Sequence, residues 1–202
     1  MKKRRELTPS GERNLCFASL AAVILLGVAA GASLTAAHGT EWAGERIWLH
    51  QYFSPMLCGE TILGVFKNTF LTAGFFALTM FILGFFSVGQ PLCIALTAAR
   101  GLGIGAAAAQ LYIENGFGAV TAISVLVLPK ALALSLTAIL GAREMLRLSG
   151  VQFSFLFSDN CPEESMQRLT KLYCVKFAVI IIMIAIVSVA DSAVNYFFAD
   201  LY

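Results

Sequence analysis

Four polar side chains stand where the chain offers them little water: Gln90, Arg100, Lys130 and Asp191. Arg100 and Lys130 interrupt long apolar runs. A charge near the centre of a bilayer costs about 2.5–3.5 kcal/mol on insertion scales. Each cation therefore needs an acid, a hydrogen-bond acceptor or an anion. Arg100 lies nine residues after Pro91, which is about 13 Å along a helix. Lys130 lies about twelve residues beyond a turn at Gly118, roughly 18 Å into a core about 30 Å thick from the other face. On this count the two cations share one depth. Asp191 comes late in the last apolar run, so it is expected near the outer surface and unable to neutralise either. Pro129 lacks an N–H and frees the carbonyl of Val125; Gln90 and an unwound backbone at Pro91 are the other candidate acceptors.

Three arrangements meet these constraints. The simplest has both cations snorkelling along their aliphatic stems to the inner headgroups. A second breaks the third apolar segment near Arg100-Gly101 into a re-entrant element buried among other helices. A third makes the two cations the lining of an anion-binding cavity, as discontinuous helices do in transporters.

Catalysis has no comparable support. The chain contains no GxSxG, HExxH or Walker motif, and Asp191 is a lone acid where acid–base work needs a second group in reach. The two histidines, His38 and His50, are far apart in sequence, and the five cysteines show neither CxxC nor metal-ligand spacing. No catalytic residue, metal or cofactor is expected, nor a disulfide framework.

The elements that must carry these residues follow from composition. Of 202 residues, 58% are apolar and 13% charged, against roughly 45–50% and 25% in soluble domains. The mean hydropathy is +0.80, and apolar runs longer than 18 residues recur. These values exclude an ordinary soluble domain, a disordered chain and a basic nucleic-acid binder. They predict an all-α integral membrane protein, a bundle of about five transmembrane helices. The spans are expected at 15–37, at 68–88 with a start near Ile62, at 91–113, at 119–142 and at 172–198. The first run is longer than the 7–15 residues of a signal peptide core, so it reads as a span. Gly89-Gln90-Pro91 and residues 114–118 read as turns. The order Ser158-Asp159-Asn160-Cys161-Pro162-Glu163-Glu164 reads as a helix start, with caps, then proline, then acids, so the last helix is expected to begin near Pro162.

Small residues mark close helix contacts. Gly27 and Gly31 form a GxxxG pair in the first span, and Gly101, Gly105 and Ala109 share one face of the third. Residues 38–61 form an outer loop whose Trp42, Trp48, Tyr52 and Phe53 suit the membrane–water boundary. A short interfacial helix is expected at 41–53, either anchoring the loop or docking a partner.

Charge sets the orientation. Residues 1–14 form a basic head with five Lys and Arg, and Arg143, Arg147, Arg168, Lys171 and Lys176 give five more around the polar segment 143–171. The other side has only Arg46 and Lys67. The positive-inside rule places the N-terminus and segment 143–171 in the cytoplasm and the C-terminus outside a plasma membrane. Residues 15–202 then form one transmembrane domain.

Residues 84–142 resemble the stage II sporulation protein M family. The matching features are Gly89-Gln90-Pro91, the basic–glycine pair Arg100-Gly101, Gly105, the turn glycines Gly116 and Gly118, and Leu128-Pro129, with Asp191 as an acid late in the last span. The resemblance implies a polytopic membrane scaffold needed for engulfment of the forespore. It would recruit two extracytoplasmic peptidoglycan-degrading partners, similar to the stage II sporulation D and P proteins, to the septal membrane without being a hydrolase itself. Membrane lipids are the other expected partner, and no oligomeric state is implied. The competing reading is a small transporter or channel subunit that uses Arg100 and Lys130 in an intramembrane anion cavity.

Overall fold

A computed structural model describes residues 9–39, 62–86, 89–118, 120, 123–157 and 163–198. Every regular element among them is helical. The five long helices are α1 (Pro9–His38), α2 (Ile62–Leu83), α3 (Gly89–Asn115), α4 (Leu128–Phe157) and α5 (Glu163–Phe198), with a π-helical turn (Ile123–Val127) leading into α4. Stretches of four of them are long and apolar enough to cross a membrane: Asn14–His38, Ile62–Leu83, Gly89–Ile113 and Gln167–Phe197. The helix outside these four, α4, carries Lys130, Arg143, Glu144 and Arg147 between Leu128 and Phe157. The result is a helical membrane bundle.

Local chemistry sets the helix ends. Pro9 opens α1, where its missing N–H would have no intrahelical partner in any case. The α3 helix stops at Gly116, whose φ of +57° closes the last turn with an N–H bond to the Tyr112 carbonyl at 2.9 Å. Pro129 cannot donate to the carbonyl four residues back, and the wider π turn lies directly before it. The last helix begins at Glu163, where the Asn160–Pro162 signal points.

Two sequence expectations need correction. Gly89-Gln90-Pro91 is not the turn between the second and third helices; it is the first turn of α3. The reversal comes earlier, where Gly84, Phe85 and Phe86 bond back to the carbonyls of Met80, Ile82 and Leu83. Proline suits a helix's first turn because it gives up no helical hydrogen bond there. The third segment is also unbroken: α3 runs continuously through Arg100-Gly101 for 27 residues. A glycine within a helix lowers propensity by only about 1 kcal/mol, and tertiary packing overrides that.

Packing fixes the relative directions. α1 and α3 run side by side in the same sense, since Ile24 meets Gly101 and Val28 meets Gly105. α2 and α5 are antiparallel, with Ser192 bonded to the Ile62 carbonyl at one end and Tyr173 to the Met80 and Phe81 carbonyls at the other. α4 opposes both α3 and α5, through Cys93 to Ala142 and Glu144 to Lys176. The start of α1, the second half of α4 and the start of α5 therefore share one end of the bundle. Arg143, Arg147, Arg168, Lys171 and Lys176 all belong to that end.

A buried cluster at this end joins Leu20 of α1, Met80 of α2, Cys93 of α3, Met145 of α4 and Phe177 of α5. A second cluster, Ala73, Ala77, Leu134, Ile180 and Ile184, fills the space between α2, α4 and α5. The large apolar side chains left exposed, such as Leu25, Leu26, Phe75, Ile182 and Ile186, cover the outside of the bundle. In water that surface would be a liability; against lipid tails it is the expected exterior.

Candidate functional site

The α1–α3 seam shows how small residues make the site possible. A methyl added at Gly27 would stand 2.5 Å from the Ala98 carbonyl oxygen, and one at Gly31 would meet the Leu102 carbonyl. From the other side, Gly101 faces the Ile24 carbonyl and Gly105 the Val28 carbonyl. The two glycine faces lie against each other, backbone on backbone. Such close approach gains dispersion contacts that lipid cannot supply. It also fixes α3 in rotation: with Gly101 and Gly105 against α1, Arg100 is directed to the other helices.

Arg100 is the largest fully buried side chain among the described residues, with 2% of its surface exposed. Its guanidinium carbon lies 5.2 Å from the centre of the Phe76 ring on α2, a cation–π contact. A small cavity adjoins it, lined by residues of α2, α4 and α5 that include Phe76, Thr137 and Gly141. No carboxylate lines it. Snorkelling to the headgroups is excluded for Arg100 by this burial.

Lys130 has a different environment. Its Nζ lies 2.7 Å from Asp191 Oδ2 and donates to Thr69 Oγ1 at 2.9 Å. The Thr69 hydroxyl donates in turn to the same carboxylate oxygen at 2.7 Å. Asn195, one turn beyond Asp191, donates to Asp191 Oδ1 at 3.2 Å and to its backbone carbonyl at 2.8 Å. Both carboxylate oxygens are thus engaged, and the network ties α2, α4 and α5 together. The Asp191 side chain is 2% exposed and that of Lys130 17%. A buried ion pair of this kind is tolerable because every polar atom in it has a partner.

This overturns two expectations. Asp191 does neutralise Lys130, and the two cations do not share one depth. Thr69, which meets Lys130, and Phe76, which meets Arg100, are two turns apart on α2, about 10 Å. The count from Gly118 treated residues 118–130 as one helix rising at about 1.5 Å per residue. A π turn occupies 123–127, and Lys130 is only the third residue of α4. It therefore sits near the same end as Asp191, where α5 finishes.

The remaining sequence candidates fall outside this centre. Gln90 is exposed in the first turn of α3 and lies near Gly150 of α4, too far along the helix to reach Arg100. Gly89 packs against the Leu83 carbonyl at the α2–α3 reversal. Pro91 and Pro129 are exposed in the first turns of α3 and α4. Trp42, Trp48, Tyr52 and Phe53 lie outside the described residues, as does the helix expected at 41–53. Among the described residues, no three His, Cys, Asp or Glu side chains converge as a metal site would require, and Cys16, Cys93 and Cys174 are free.

Sequence reasoning missed Thr69, Asn195 and Tyr173. Asn195 had a signal, four residues after Asp191 and so on the same helix face. Tyr173 carries no local signal that sets it apart from other aromatics near a span's end. Its hydroxyl caps the end of α2 at 3.0 and 3.2 Å, and its ring stacks on Phe81 at 5.4 Å and lies tilted against Phe177 at 4.7 Å.

At neutral pH the arrangement can hold helices and fixed charges in place; among the described residues it presents no nucleophile beside a base. No family model, no curated protein and no solved structure matches this chain.

Proposed function

We propose that this chain is a non-enzymatic membrane scaffold that holds extracytoplasmic peptidoglycan-degrading partners at a septal plasma membrane, as its resemblance to the stage II sporulation protein M family implies. The observation that carries this reading is where the charges go. Lys130 is consumed by Asp191 and Thr69 inside the bundle, which is what a rigid anchor needs and an open anion path does not. The reciprocal glycine seam and the Tyr173 cap serve the same rigidity. In this reading α4 and the π turn form the fifth crossing, the basic end of the bundle faces the cytoplasm and the 38–61 loop faces outward to its partners.

A pull-down from nanodiscs with mass spectrometry tests the function. Retention of cell-wall hydrolases, lost when Trp42 and Trp48 are both replaced by Ala, is the expected result. Reconstituted protein that retains no hydrolase and moves anions across vesicles would overturn it in favour of a transporter. Orientation has its own test: an impermeant maleimide applied to intact cells should modify Cys58 and spare Cys161, and the reverse pattern would invert the topology.

A further inference from the structure

Arg100 presents a charge problem the rest of the bundle does not solve. A guanidinium does not lose its proton in proteins, so burial cannot neutralise it as it can a lysine. Within the bundle its Nε is fully buried and meets no acceptor among the described residues. The Phe76 ring offers a quadrupole, which attracts a cation without cancelling its charge. The nearby hydroxyls are turned inward on their own helices: Thr97 donates to the Cys93 carbonyl at 2.7 Å and Thr137 to the Leu134 carbonyl at 2.8 Å. The two carboxylates on the packed stretches of the neighbouring helices are both taken by lysines, Asp191 by Lys130 two turns away and Glu144 by Lys176.

We infer that Arg100 and the void beside it form a binding site for one monatomic anion of halide size. The void is about 10 Å³, the scale of a single small occupant. Phosphate, carboxylate metabolites and lipid headgroups are too large for it. Apart from Arg100 and Thr137 its walls are apolar, among them Ala73, Phe76, Met80 and Ile184, so a bound anion would be dry and its attraction to the guanidinium strong. A fixed internal anion would neutralise α3 at midspan and let it stay continuous through Arg100-Gly101. The site involves Arg100 alone, without Lys130, and it is independent of whether the protein recruits hydrolases.

The test compares purified full-length protein in nanodiscs in chloride and in gluconate at equal ionic strength. The apparent Tm should rise by at least about 3 °C as chloride replaces gluconate, since a ligand that binds only the folded state stabilises it. Chloride-35 NMR should show a saturable line broadening under the same conditions. Gly141→Ala keeps Arg100 and folds, because the added methyl finds its nearest neighbours at 3.5 Å or more, yet it takes up part of the void. It should abolish both the Tm shift and the broadening, as should Arg100→Met. A wild-type Tm indifferent to chloride, or a shift that persists equally in Gly141→Ala, overturns the site. Should Arg100→Met fail to fold, the Gly141→Ala comparison decides alone.

Discussion

Lys130 and Arg100 are both cations buried in one bundle, and they are stabilised by opposite means. Lys130 near the end of α5 has a carboxylate at 2.7 Å and a hydroxyl at 2.9 Å, and an amide holds the other oxygen of that carboxylate at 3.2 Å. Arg100 at midspan has an aromatic face, a void and an unmet Nε. The difference follows from the neighbours each helix end can supply. Near the end of a span a polar Asp–Asn turn costs less than at its middle, because the membrane–water boundary is close. At midspan the neighbours are Ala, Met and Ile, and a second protein charge would itself have to be buried.

The comparison can be broken from the lysine side first, where the effect should be largest. Asp191→Ala strands a buried ammonium and should lower stability by about 3–5 kcal/mol, read as an earlier transition in detergent unfolding. Asp191→Asn should lose less, since the amide still accepts from Thr69 or Lys130. The seam that aims Arg100 comes next. Gly105→Val drives a branched side chain into the Val28 carbonyl and should cost about 1–3 kcal/mol by overpacking. Cysteines placed on α1 and α3 across the seam should then cross-link more slowly. Tyr173→Phe removes the hydroxyl from the Met80 and Phe81 carbonyls and should cost about 1 kcal/mol. The smallest effect, of opposite sign, belongs to Gly74→Ala. Nothing lies within 4 Å of the added methyl, so helix propensity alone should raise stability by about 0.5–1 kcal/mol. A loss at Gly74 as large as at Gly105 would remove the steric explanation of the seam.

The legible and illegible parts of the fold divide along one line. Apolar length placed the helices, and the sequence signal at Asn160–Pro162 and the turn glycine Gly116 placed two of their ends, because those signals are local. The glycine faces of α1 and α3 were each readable as sites of close approach; that they face each other is a tertiary fact no spacing contains. Asp191 was misjudged because a depth count assumes straight, uninterrupted helices. A π turn and a late start for α4 moved Lys130 toward the very acid the count had discarded. Gly89-Gln90-Pro91 was misread because proline marks a turn and a helix's first turn with equal force.

The claim on which the rest turns is that Lys130 and Asp191 form one interior pair joining α4 to α5. A double-mutant cycle measures it directly, with Lys130→Leu, Asp191→Leu and the double variant unfolded from the same nanodiscs. The account predicts that each single variant is destabilised by several kcal/mol while the double variant returns to within about 1 kcal/mol of the wild type, a strong coupling. Additive losses, with the double variant the least stable of the three, would contradict it.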